Sequence, residues 1–126
     1  MGKVSSEYIG RAGEFLAACI FEVRGIRTVP VTMHGVDLWC ETPSGRWVRV
    51  QVKTASKAHK EANRYGAARY CFSRRVGRAV SPDLYAFVAL DLMRVVVRDY
   101  MCANARITVD DFSVAAQEDS IARWLY

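Results

Sequence analysis

From Trp47 to Thr54 apolar and polar residues alternate: Val48, Val50 and Val52 are interleaved with Trp47, Arg49, Gln51 and Lys53. Successive side chains of an extended chain point to opposite sides, so this run is a strand with one face for a core and one polar face. A second β-type run, Val36 to Glu41, precedes it, and Thr42-Pro43-Ser44-Gly45 joins the two. Proline followed closely by glycine favours a tight turn, so the two runs read as neighbouring strands. A third run, Arg27 to Thr32, comes just before them.

Upstream, Tyr8, Ala12, Phe15, Leu16, Cys19, Ile20 and Val23 recur at three- and four-residue steps. That spacing predicts an amphipathic helix between Ser5 and Gly25 whose apolar stripe faces the core. Ser5 or Ser6 suits the N-cap, and Gly25 suits the C-terminal stop. Glu14 falls nearly opposite the stripe, beside a side rich in small residues, Gly10, Gly13 and Ala17.

Beyond Ala55 the chain turns polar and basic through Tyr65-Gly66, and Ala68 to Ser73 reads as a return to strand. Leu84 to Leu92 and Arg94 to Tyr100 form a hairpin pattern, Ile107 to Asp111 a short extended or turn segment, and Val114 to Leu125 a closing helix. The expectation is an α/β fold in one domain spanning residues 1–126, a length that buries a single core.

Although 52 % of the residues are hydrophobic, the longest wholly apolar stretches, such as Phe15 to Phe21 and Ala86 to Leu90, are too short to cross a bilayer. With Glu7 and Glu14 inside its helical pattern, the N-terminus does not resemble a secretory leader, and a cytoplasmic protein is expected. Four cysteines without a CxxC pair read as buried thiols rather than metal knuckles or a disulfide framework.

Charge is unevenly distributed. Between Lys53 and Arg78 there are eight basic residues and one acid, Glu61, whereas the other hundred residues carry −2 of the chain's net +5. Lys57, Lys60 and Arg64 belong to this segment, followed by Arg69, Arg74, Arg75 and Arg78, with Tyr65, Tyr70 and Phe72 among them. A basic segment interleaved with aromatics on a slightly acidic body points to DNA, held through its phosphates. His34 and His59 are isolated and read as surface residues.

If the Val36 and Trp47 strands pair, Asp37, Gln51 and Lys53 come together on the face away from the core. A carboxylate, an amide oxygen and an ammonium suit phosphodiester hydrolysis. A hard cation takes the oxygen ligands, and lysine orients the attacking water and stabilises developing charge. Glu41, on the same side of its strand as Asp37, is a further acid within reach.

These residues resemble the PD-(D/E)XK nuclease superfamily, whose signature is an acid on one strand and acid-x-lysine on the next. Here it reads Val36-Asp37 and Gln51-Val52-Lys53, within the ordered set Gly10-x-x-Gly13-Glu14, Gly35-Val36-Asp37-Leu38 and Val50-Gln51-Val52-Lys53-Thr54-Ala55. The resemblance covers about the first half of the chain. It implies a restriction-endonuclease-like α-β-β-β-α-β core, a central mixed sheet flanked by helices, dependence on Mg²⁺ or Mn²⁺, and DNA cleavage. It places Glu14 near the metal with Asp37 and Gln51, and gives Lys53 the catalytic lysine's role.

Gln51 departs from the pattern by removing one negative charge from the site. The motif set, small size and basic segment together lead first to an endonuclease acting on branched DNA, like Holliday junction resolvases. Two-fold symmetry, the commonest way to supply a second active site, leads to a homodimer that cuts both strands. The alternatives are a site-specific homing or restriction-like endonuclease, and a non-catalytic DNA-binding module that keeps the fold.

Overall fold

The computed structural model describes residues 3–60, 68–73 and 81–126. The DNA-contact expectations for Arg64, Arg74, Arg75 and Arg78 lie outside the described residues. Helix α1 (Ser6–Val23) is followed by β1 (Arg27–Met33), β2 (Val36–Glu41) and β3 (Trp47–Ala55). Then come β4 (Arg69–Ser73), β5 (Leu84–Ala89), β6 (Arg94–Arg98), β7 (Asn104–Thr108), a 3-10 turn (Asp110–Phe112) and α2 (Val114–Leu125).

Five strands form one sheet in the order β1-β2-β3-β5-β6, and β4 pairs with β7 apart from it. Within the large sheet β3 and β5 run parallel and the other neighbours antiparallel. This is the mixed α/β sheet expected from the sequence.

Local chemistry sets the turns. Gly25, at φ +78°, ends α1: its N–H donates to the Glu22 carbonyl and that of Ile26 to the Phe21 carbonyl, both at 3.0 Å. This left-handed cap satisfies two orphan carbonyls and seats Ile26 beside Phe21 in the core. Between β2 and β3, Gly45 at φ +88° donates to the Thr42 carbonyl, while the buried Thr42 hydroxyl accepts from the Arg46 amide.

The two faces of the sheet carry different cores. On one, Val48, Val50 and Val52 of β3 pack with Ala86 and Val88 of β5 beneath both helices. On the other, Phe87 and Val96 meet Tyr70 and Phe72 of β4 and Ile107 of β7. Phe72 stands edge-on to Phe87 with ring centroids 5.0 Å apart, a favourable aromatic geometry.

Two expectations change. The residues α1 buries are Gly13, Ala17, Ile20 and Phe21, whereas Tyr8, Phe15 and Val23 face solvent. The strongest apolar stripe of α1 therefore points outward, because the sheet accepts the side whose small residues allow close approach. Of the four cysteines only Cys40 is buried; Cys19, Cys71 and Cys102 are exposed free thiols.

Candidate functional site

The β2–β3 ladder runs from Glu41↔Trp47 to Leu38↔Val50 and stops there, while β3 stays paired with β5 as far as Ala55↔Ala89. Val52 lies two residues beyond Val50, so its N–H points to the same side, toward β2. No strand carbonyl is needed there: the Asp37 carboxylate accepts that N–H at 2.7 Å. Asp37 thus caps the point where the two strands part, and a cleft opens beyond it.

Helix α1 closes the cleft from above. A Cβ at Gly13 would lie 1.7 Å from the Thr54 hydroxyl oxygen and 2.7 Å from Thr54 Cβ, so a glycine there permits the approach of α1 to β3. The next residue, Glu14, brings its carboxyl group close enough to that of Asp37 for the two to perturb each other.

The electrostatics follow from that contact. Glu14 is pushed up to about 7, chiefly by burial, then by the charge of Asp37 and the hydrogen bond to it. Asp37 is raised by burial, against the opposing effects of the Val52 N–H, the Glu14 hydrogen bond and the Lys53 charge. Two half-buried carboxylates that cannot both ionise without mutual repulsion are the kind of group that clusters at functional sites.

Glu14, Asp37 and Lys53 line a cavity of about 370 Å³, whose far wall includes Lys57, His59 and Cys71. The sequence-predicted residues therefore divide. Gln51 is half-buried on β3 opposite Tyr85 and is not among the lining residues. Glu41 pairs with Trp47 at the turn end of the hairpin, away from the cavity. Of the described basic residues, Lys57 lines the cavity, Lys60 is exposed nearby in sequence, and Arg69 lies in β4.

His59 and Cys71 were not expected here. They arrive through a long-range pairing: the His59 and Arg69 backbones exchange hydrogen bonds of 2.8 and 2.9 Å. This pairing ties the chain after β3 to β4, a connection that no local sequence pattern announces.

Among the described residues no three His, Cys, Asp or Glu side chains converge, so the acidic set is the Glu14–Asp37 pair. Its hard oxygens, and the repulsion that a divalent cation would relieve, fit Mg²⁺ or Mn²⁺.

The overall fold has a solved counterpart. In fold the chain is similar to a bacterial homing endonuclease. That protein, I-Ssp6803I, matches with a TM-score of 0.63 over 83 % of this chain and 79 % of its own, at 16 % sequence identity. At that identity the likeness establishes the nuclease-like fold alone. No family model matches the chain, and no curated protein matches its sequence.

Proposed function

We propose that the chain is a metal-dependent DNA endonuclease of the PD-(D/E)XK type, hydrolysing phosphodiester bonds at the Glu14–Asp37–Lys53 cavity. The observation that carries this reading is the meeting of two half-buried carboxyl groups with a lysine in one cavity where β2 and β3 part. Glu14 and Asp37 would hold Mg²⁺ or Mn²⁺, which when bound supplies Lewis-acid polarisation of the phosphate.

The chain's own groups have separable roles. The Val52 N–H fixes the Asp37 carboxylate. Lys53 orients the attacking water and stabilises the charge that develops on phosphate. Lys57, on the cavity wall, holds a neighbouring phosphate, with Lys60 and Arg69 extending the basic track, so binding weakens as salt rises. Gln51 lies on the same side of β3 as Lys53 but outside the cavity lining.

A homing-type, site-specific reading on duplex DNA is favoured over junction resolution by the likeness to a homing endonuclease. Purified protein with Mg²⁺ or Mn²⁺ is offered four-way junctions of unrelated sequence and a randomised duplex library. Cutting of selected duplexes, lost in Asp37→Ala and Lys53→Ala, supports the site-specific reading, and sequence-indifferent junction cutting replaces it with the resolvase reading. Intact DNA in every arm, with binding retained, leaves a non-catalytic DNA-binding module.

A further inference from the structure

Tyr8, Ala12, Phe15, Cys19 and Val23 follow one another along α1 at steps of four, three, four and four residues, and all five are exposed. Tyr8 is 63 %, Phe15 66 % and Val23 78 % exposed, and Val4, just before the helix, 57 %. On a helical projection this line lies opposite the buried Gly13, Ala17, Ile20 and Phe21.

The four large side chains present on the order of 400–500 Å² per chain, the size of patches that are often functional. Two such faces together reach roughly 1,000 Å², where specific association begins.

The sheet edges are poor routes to self-association. On β6, Gln117 and Ser120 of α2 accept the outward N–H groups of Val95 and Val97. On β1, Pro30 and a register break interrupt the edge.

We infer that α1 packs against α1 of a second copy of this chain, antiparallel, about a two-fold axis at Phe15. The stripe is symmetric in size about that residue: large at Tyr8, small at Ala12, large at Phe15, small at Cys19, large at Val23. Antiparallel pairing sets Tyr8 against Val23 of the second copy and Ala12 against its Cys19, leaving room for the two phenyl rings at the centre. Arg11, stacked over its own Phe15 at 5.9 Å, and Glu22 lie eleven residues, about three turns, apart on one edge of the stripe. The antiparallel arrangement brings Arg11 of each copy toward Glu22 of the other.

Sedimentation equilibrium of the full chain without DNA or metal tests this. Wild type is a concentration-dependent dimer. Phe15→Glu, at an exposed position, keeps the far-UV circular dichroism and raises the dimer dissociation constant by at least about 100-fold. In a Cys71→Ser/Cys102→Ser background, Ala12→Cys cross-links to native Cys19 of the second copy under mild oxidation, and the same background without Ala12→Cys does not. A wild type that stays monomeric at high concentration, a Phe15→Glu dimer as tight as wild type, or covalent dimers through Cys19 alone would overturn the proposal. No step uses a nucleic acid, so its failure leaves the nuclease reading standing.

Discussion

Two of the polar contacts that helix α1 and its cap make with other elements have opposite electrostatic character. Near the middle of the helix Glu14 meets Asp37, like against like: burial drives both carboxyls up, and the Asp37 charge adds to the rise of Glu14. At its C-terminal cap Arg24 meets Glu118 of α2 through two hydrogen bonds of 2.6 and 2.5 Å. Arg24 also donates to the Ile20 carbonyl at 2.7 Å, and Glu118 is drawn down to about 2, first by Arg24 and then by Gln117. The second contact is what folding alone selects. The first works against folding once ionised, and a contact of that kind persists where the pair serves something other than stability.

The largest effect that would break this contrast is on activity. Lys53→Ala, or Asp37→Asn, lowers DNA cleavage by at least about 10²–10³-fold, the usual loss when one transition-state-stabilising group is removed. Glu118→Gln leaves cleavage unchanged. Single-turnover assays of all three variants check this, and a matching loss in Glu118→Gln would erase the distinction between the two contacts.

Next in size is the packing that permits the Glu14–Asp37 contact. Gly13→Ala drives a methyl group into Thr54 and destabilises the fold by about 1–3 kcal/mol, less what alanine gains in helix propensity. Gly10→Ala meets nothing within 4 Å and is stabilising by up to about 1 kcal/mol. Urea unfolding of the pair separates the two, and equal midpoints would show that α1 does not need the close approach.

The same residues show what could be read from the sequence. The β2–β3 hairpin was legible because alternation and a Pro-x-Gly turn are local signals. The helix was legible too, but not its buried face. Periodicity follows large apolar residues, whereas the sheet takes up Gly13 and Ala17, whose value is their small size. Glu14 could be assigned only through resemblance, since it borders that inconspicuous side. Asp37 and Lys53 meet as their strands suggest, yet the splay that gives Asp37 the Val52 amide depends on where the ladder ends. His59 and Cys71 reach the cavity through pairing with β4, a contact that alternation along either segment does not encode.

A smaller, signed effect concerns pH. Glu14 has its folded value raised from 4.5 to about 7. Its contribution is therefore fully present below about pH 4.5 and is lost as pH rises toward and through 7. Thermal unfolding between pH 4.5 and 8 shows this decline in wild type and a shallower one in Glu14→Gln. Millimolar Mg²⁺ or Mn²⁺ raises the melting temperature of wild type at pH 8 and leaves Glu14→Gln/Asp37→Asn unmoved.

The smallest effect belongs to the favourable contact, and its sign is reversed. Glu118 falls below its ordinary value, so its contribution is present above about pH 4.5 and disappears as pH drops toward 2. The Glu118 side chain remains 43 % exposed, so solvent screening limits the pair to about 0.2–1 kcal/mol despite its two-pronged geometry. Glu118→Gln therefore lowers stability at pH 7 by no more than about 1 kcal/mol, and the gap to wild type closes at low pH and in high salt. A loss of several kcal/mol that salt does not reduce would mean that Arg24, anchored to the Ile20 carbonyl, is left uncompensated. The α1–α2 contact would then hold the two helices together as firmly as their shared core does.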